Sequence, residues 1–362
     1  MSLAFMESFA DDAAKWSHLE HDVRIPSEEE NASHVLRGID LDDLPALDVD
    51  SNNDSILTFP PFENGFVLGF YILRYSTTSN STTRDMLSLG PDGASAGASP
   101  SYGVRFRING NGSNSYNMEV IPRSGGSTLP GGTYATPNLT AQDGWRLVEL
   151  VCDPQEGKFQ FWQGLAYDDE PLQLMQEWEG TIVPEELTTI AVASLSQGYS
   201  YIGSIYVLEL DGNAPNERLG HHRIEGYLVE GPGHHNDFAR SDSEASLADL
   251  VNDPSMETYI SGTQVGDKQT FDFEGLPDTT AVRGVQIAAK VNQGGVDPTR
   301  FVKLYRDEQG AEAQVGDPLL LPEGMTRGVF WTSFINPLTG QPWQIGDLNY
   351  GELGFEWVPE EE

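Results

Sequence analysis

The sequence predicts an all-β protein made of two tandem β-sandwich, jelly-roll-like domains. The chain has 362 residues, which is long enough for two domains with separate cores. Its 38 glycines and 22 prolines divide the sequence at short intervals. Between them lie short runs in which apolar and polar residues alternate, as they do in half-buried strands.

The first series of predicted strands lies within residues 1–212, the predicted first domain. Val104, Phe106 and Ile108 share one face of such a strand, and Arg105 and Arg107 share the other. The runs of this series span residues 65–73, 102–108, 116–121, 146–151, 158–162 and 201–210. Residues 1–50 are charged, and they either form an arm or begin the first sandwich.

The predicted second domain spans residues 218–358 and follows a connector of loop composition near residues 212–218. Its strand-like runs span residues 222–229, 257–260, 269–273, 282–291, 301–305, 329–334 and 353–357. A helical period is nearly absent. The best candidate is a helix of at most two turns over residues 245–251.

The charge of the chain argues against two classes of partner. There are 20 basic and 56 acidic residues, for a net charge of −36. Such a surface repels a phosphate backbone or anionic lipid, so we expect no nucleic acid partner. No apolar stretch reaches 18 residues, so we expect no membrane insertion. Only five basic residues are lysines, which fits either a high-salt habitat or an ordinary acidic protein.

The single cysteine, Cys152, excludes an intrachain disulfide, and its apolar neighbours predict a buried strand residue. The apolar N-terminal segment carries Glu7 and has no basic region before it. We therefore expect no secretory signal and synthesis in a cytoplasm.

Two motifs suggest catalysis, and neither meets its structural requirements. Residues 93–97 match G-x-S-x-G, but a strand follows them where a nucleophile elbow needs a helix, so a loop is favoured. Glu209 and Asp211 begin the E-x-D-x-E strand pattern of one glycosidase class, which then fails at Asn213. We predict no catalytic residues and no enzyme.

Two clusters suggest metal binding. Residues 48–54 place oxygen ligands at alternate positions, but Asn53 and Phe59 stand where an EF-hand needs Gly and Glu. A solvated acidic loop is favoured over another kind of calcium site. The histidine pairs 221–222 and 234–235 could each supply one imidazole to a zinc site with Asp237 or Glu230, although surface-loop histidines are favoured. We predict no metal and no cofactor.

Several segments resemble tailed-phage virion proteins that carry a laminin-G or concanavalin-like sandwich. Residues 3–9 resemble the start of these proteins, residues 144–151 and 157–162 their paired strands, and residues 201–212 their closing strand. In the C-terminal half, residues 219–231, 237–238, 257–261, 266–273, 282–287, 336–343 and 348–355 follow the family's order. His221 departs from the pattern, since the family usually has Asp there.

The resemblance implies a structural protein of a tailed-virus particle, made in the host cytoplasm and displayed on the tail, fibre or capsid surface. Its expected partners are other virion proteins and copies of itself, and residues 76–100 and 109–136 are expected to be contact loops. The alternatives are a lectin-like module that binds carbohydrate, such as a host-surface glycan, and a polysaccharide-degrading enzyme. Tyr199, Tyr201 and Trp178 could stack on sugar rings or pack in the core.

Overall fold

The computed structural model describes residues 3–7, 23–24, 46–48, 55–58, 62, 64–74, 83–91, 102–110, 115–140, 144–166, 171–182, 187–192, 200–210, 218–221, 227–252, 257–273, 275–276, 282–292, 300–320, 326–333 and 335–358. The chain divides into two compact units, Met1–Gly226 (unit 1) and Tyr227–Glu362 (unit 2). Antiparallel strands dominate both units, which confirms the all-β prediction.

The described strands of unit 1 are β1 Leu3–Glu7, β2 Val23–Arg24, β3 Ala46–Asp48, β4 Ser55–Thr58, β5 Gly65–Arg74, β6 Thr83–Gly90, β7 Gly103–Gly110, β8 Ser115–Ser124, β9 Ser127–Thr128, β10 Tyr134–Ala135, β11 Leu139–Thr140, β12 Arg146–Asp153, β13 Lys158–Leu165, β14 Gln173–Glu179, β15 Thr189–Val192 and β16 Ser200–Leu210. Sheet 1 has the order β14-β13-β12-β5-β16-β3-β2, with β1 also beside β16. Sheet 2 has the order β10-β8-β7-β6-β15-β4, with β9 and β11 also beside β8. Strand β6 lies inside residues 76–100, and strands β8, β9 and β10 lie inside residues 109–136, so both expected loops are partly sheet.

The two sheets of unit 1 pack face to face. Phe70 of β5 in sheet 1 and Phe106 of β7 in sheet 2 make an edge-to-face contact, with 5.1 Å between ring centroids. Both rings are fully buried, as are Leu68 and Ile108 beside them. Cys152 is buried in β12, as its apolar neighbours predicted. Alternate residues of β5 and β7 thus form one core between the sheets.

A fully buried carboxylate lies on the face of sheet 1 that points away from this core. Glu149 of β12 accepts hydrogen bonds from the Tyr206 hydroxyl, from the Gly220 N–H at 2.8 Å and from Arg218 Nη1 at 3.0 Å. Burial, together with the neighbouring Glu149 carboxylate, raises the pKa of Tyr206 well above its ordinary value of 10.0. The Arg218 guanidinium stacks over the Trp162 ring, 3.6 Å from its centroid. Both Glu149 oxygens therefore have donors, as a buried charge requires.

These bonds attach residues 218–221 to unit 1. The composition of the chain predicts a second domain that begins at residue 218, whereas the compact units divide after Gly226. Arg218 and Gly220 both contact Glu149 of β12, so this part of the predicted second domain packs on the first sandwich.

The described elements of unit 2 are β17 Val229–Asn236, β18 Ala239–Arg240, α1 Leu247–Val251, β19 Ile260–Ser261, β20 Lys268–Phe273, β21 Val285–Asn292, β22 Arg300–Arg306, β23 Glu312–Leu320, β24 Thr326–Ser333, α2 Ile345–Asn349 and β25 Glu352–Val358. Sheet 3 has the order β17-β20-β25-β22-β23, and β18–β19 and β21–β24 form two-stranded ribbons. Helix α1 lies inside the predicted residues 245–251. The Ser246 side chain caps its first turn by accepting from the Asp249 N–H. Neither α1 nor α2, the helices of the described ranges, is long and apolar enough to cross a membrane.

An aromatic pair marks the core of unit 2. The rings of Tyr305 and Trp343 meet edge to face with 5.0 Å between centroids, and both side chains are buried. Val285 and Ile287 of β21 pack against this cluster. The β21–β24 ribbon therefore covers one face of sheet 3, which makes two layers.

Removing Arg218 should leave the buried Glu149 carboxylate without its counter-charge. We expect Arg218→Met to lower the free energy of unfolding by about 3 kcal/mol in the wild-type background. In a Glu149→Gln background the same change should cost less than about 1 kcal/mol. Urea unfolding of the four proteins of this double-mutant cycle gives the coupling energy.

A matched cycle on Lys158 and Glu177 provides the control. Their side chains are 42% and 37% exposed and 3.5 Å apart, so a coupling energy below about 0.5 kcal/mol is expected. A coupling between Arg218 and Glu149 no larger than this one would contradict the assigned role of the buried pair.

Candidate functional site

The described chain has a row of polar side chains on the outer face of sheet 2, across β6, β7 and β8. Strand register sets Asp85 opposite Arg107, and Arg107 opposite Glu119. Asn109 lies opposite Asn117 in the same two strands. The intervening residues of β7 and β8 point into the core, so alternation alone directs this set outward.

Ion pairs hold the centre of this row, the polar face. Asp85 accepts hydrogen bonds from Arg105 Nη2 and, at 2.7 Å, from Arg107 Nε. Arg107 Nη1 lies 3.8 Å from a Glu119 oxygen. The Arg107, Asp85 and Glu119 side chains are 25%, 21% and 23% exposed. Charged groups linked in this way keep a fixed geometry while a ligand can still reach them.

An amide pair extends the row. Asn109 Nδ2 donates to Asn117 Oδ1 at 3.0 Å. Both residues are half-buried, and no described residue accepts from Asn117 Nδ2. An amide offers a donor and an acceptor on one planar group. The polar face thus presents guanidinium and amide donors beside carboxylate acceptors.

Arg123 of β8 lies on the same face, opposite Gly103 of β7. Its Nε atom is buried and has no hydrogen-bond partner among the described residues. Arg123 as a whole is partly exposed, so its charged group belongs to the accessible part of this face.

Unit 2 has a separate charged cluster around Glu312 at the start of β23. Its oxygens contact His235 Nε2 and, at 2.7 Å, Lys268 Nζ. Arg306 Nε lies 3.7 Å from a Glu312 oxygen, and Arg306 Nη1 lies 3.4 Å from a Glu352 oxygen. Arg306 therefore links these two carboxylates. Every group here has a charged partner, so the cluster joins all five strands of sheet 3 rather than offering a free site.

The structure places the histidine pair 234–235 differently from the surface loop that the sequence favoured. His234 and His235 lie in β17, an edge strand of sheet 3, and the His234 N–H donates to a Glu352 oxygen at 2.8 Å. The run 229–236 contains Pro232, which an edge strand tolerates because its outer side needs no donor. His221 belongs to unit 1, and His222 is outside the described residues. No group of three or more His, Cys, Asp or Glu side chains in the described ranges can hold a metal.

Of the other candidate residues, Trp178 and Glu209 lie within the described ranges. Trp178 is 1% exposed and donates from Nε1 to the Gly132 carbonyl at 2.8 Å, so it packs in the protein and cannot stack on a sugar. Glu209 accepts from the Asn64 N–H at 3.3 Å. Candidates wholly or partly outside the described residues are 49–54, 92–100, Tyr199, the Tyr201 side chain and Asp211.

The acidic half of the polar face is not among the residues that the sequence singles out. Alternation puts Arg105 and Arg107 on the face opposite Phe106, but it does not show that Asp85 and Glu119 lie beside them. The available signal was the polar–apolar alternation of residues 115–120, which puts Asn117 and Glu119 on one side.

The chain is similar to solved structures at 10–11% identity. No protein-family model matches the chain, and neither does any curated protein sequence. Among solved structures, basic winged bean lectin with Tn-antigen is 11% identical, with a TM-score of 0.38, over 57% of this chain and 98% of the lectin. The Ca²⁺- and mannose-bound VIP36 exoplasmic/lumenal domain is 10% identical, with a TM-score of 0.37, over 59% and 91%. The carbohydrate-binding module CBM66 from Bacillus subtilis is 10% identical, with a TM-score of 0.31, over 54% and 96%.

The Glu312 cluster should make unit 2 sensitive to acid. Partial burial alone would raise the pKa of Glu312, but its hydrogen bonds with His235 and Lys268 outweigh that effect and lower this pKa from 4.5 to about 2. A carboxyl group whose pKa falls on folding stabilises the protein fully above its unfolded value, and this contribution disappears as pH falls through the folded value. We expect the free energy of unfolding to decline between pH 4.5 and about 2.

Urea unfolding across this pH window tests the assignment. Glu312→Gln should flatten the decline, because the neutral amide has no carboxyl group to titrate. Glu308→Gln, a change at an exposed glutamate of the neighbouring turn, should leave it unchanged. Equal pH profiles for the two variants would contradict the role of Glu312.

Proposed function

We propose that unit 1 is a non-enzymatic carbohydrate-binding module and that the polar face of sheet 2 is its binding surface. The observation that carries the proposal is a row of partly exposed donors and acceptors, in which Arg107 lies between Asp85 and Glu119 and Asn117 is held by Asn109. Sugar hydroxyl groups both donate and accept, so they need this mixture at fixed positions. A pre-formed face also avoids the entropy cost of ordering side chains on binding.

The composition of the polar face favours sugar over a protein partner. Interfaces with proteins depend on buried aromatic or aliphatic anchors surrounded by polar residues. Within the described ranges, the large exposed apolar side chains are Leu174, Leu228, Tyr259, Val265 and Tyr350, and none of them lies on β6, β7 or β8. A polar surface without such anchors suits a ligand made mostly of hydroxyl groups.

The same contacts support binding without catalysis. A glycosidase needs one carboxyl group that delivers a proton and a second that acts as nucleophile or base. Asp85 receives hydrogen bonds from two arginines, and Glu119 lies beside one of them. Both carboxylates are thus paired with arginines, an arrangement that suits the positioning of a ligand.

Shortening Asn117 should weaken glycan binding while the fold is kept. We expect Asn117→Ala to raise Kd about tenfold, because one amide hydrogen bond to the ligand is worth about 1.4 kcal/mol. A glycan array of the full chain first identifies the bound sugar, and calorimetry then compares the variants. Asn236→Ala, at an exposed position of β17, is the matched control. Binding that survives Asn117→Ala and Arg107→Ala unchanged would place the sugar site elsewhere.

The location on a tailed-virus particle stays a prediction from the resemblance of residues 1–30 and 140–358. Display on a particle is compatible with glycan binding, since the module would then recognise a host surface. Other virion proteins and copies of this chain stay its predicted partners. Mass spectrometry of purified particles tests the location: we expect the chain to copurify with them, and its absence would remove this role without touching the binding proposal.

A further inference from the structure

We infer that the polar face selects acidic glycans, meaning chains that carry carboxylate or sulfate groups on more than one sugar. The inference rests on the proposed function and specifies its ligand class. Arg105, Arg107 and Arg123 share the outer face of β7 and β8, where the opposing carboxylates are Asp85 and Glu119. Three guanidinium groups thus face two carboxylates on a chain whose net charge is −36.

Two of these arginines have donors to spare. A guanidinium carries five N–H groups. Arg107 donates to Asp85 through Nε alone, and its 3.8 Å separation from Glu119 exceeds hydrogen-bond length. The Arg123 side chain is partly exposed, and no described residue accepts a hydrogen bond from its guanidinium group. Both side chains are therefore suited to bind an additional anionic group, and the planar guanidinium fits carboxylate and sulfate oxygens.

The spacing of the two arginines indicates a chain-like ligand. Arg123 of β8 lies opposite Gly103 of β7. Arg107 lies four residues farther along β7 than Gly103. Strand geometry puts their Cα atoms about 14 Å apart. Arg107 Nε is held by Asp85 of β6, on the side away from Arg123 of β8, so an oligosaccharide lying along the strands suits the two guanidinium groups better than one sugar.

The acidity of the whole chain does not prevent this binding. At physiological ionic strength the Debye length is about 8 Å, so acids more distant than that are largely screened at the polar face. Asp85 and Glu119 still act at short range, and they disfavour the dense, continuous phosphates of nucleic acid. The anionic groups of a polysaccharide are spaced along the chain. They can contact the arginines while hydroxyl groups of the same chain lie beside Asp85 and Glu119.

The test compares oligogalacturonate with its methyl-esterified form, next to an array of sialylated, sulfated, uronate-containing and neutral glycans. These two oligogalacturonates share a backbone, and the methyl ester removes the negative charge of each carboxyl group. We expect the full chain to bind at least one acidic glycan more tightly than its neutral counterpart, with a Kd that rises with salt. Arg123→Gln should weaken that binding about tenfold or more. Arg283→Gln, which removes an exposed arginine of unit 2, is the charge-matched control.

The outcomes separate the two proposals. Binding to neutral glycans alone, weakened by Asn117→Ala, would overturn the acidic class and leave the proposed function in place. Acidic binding unaffected by both Arg107→Gln and Arg123→Gln would overturn the role of the arginines. Binding of a DNA oligonucleotide through the same arginines would overturn the ligand class. No binding to any glycan would overturn both proposals.

Discussion

Strand β7 connects the core of unit 1 to its candidate site. Its side chains alternate, so Phe106 packs against Phe70 of the other sheet while Arg105 and Arg107 reach Asp85 on the outer face. A slip of one residue would exchange the two sets and bury both guanidinium groups in an apolar core. The burial of the Phe106 ring therefore holds the register on which the polar face depends.

In strand β12 the side chains on both faces are buried, because the outer face of sheet 1 is also covered. Glu149 is fully buried there, and its position is tolerable only because Arg218, Tyr206 and Gly220 satisfy both oxygens. An ion pair of this kind adds little net stability compared with apolar packing, but losing one partner is costly. The main effect of the Glu149–Arg218 pair is to fix where residues 218–221 lie on the first sandwich.

Sequence periodicity predicted many strands of both units, and its failures have physical causes. Residues 65–73, 146–151 and 158–162 alternate clearly or are apolar throughout, and the structure has β5, β12 and β13 there. Strand β6 was missed because its residues 83–85 are polar and a bulge between Asp85 and Leu87 interrupts the alternation. Strand β17 was missed because Gly231, Pro232 and Gly233 indicate a turn in isolation. An edge strand accommodates them because only one of its sides needs a full set of backbone bonds.

By itself, the sequence determined the all-β class, the absence of an intrachain disulfide and the strongly acidic balance, since these follow from composition and local period. It also placed Arg105 and Arg107 on the face opposite Phe106, because alternation is a property of one strand. Only the tertiary structure decided which charges meet. Asp85 reaches Arg107 across 22 positions and Glu312 reaches His235 across 77, and such pairings depend on sheet order and register. Both are set by packing over the whole domain, so local sequence does not encode them.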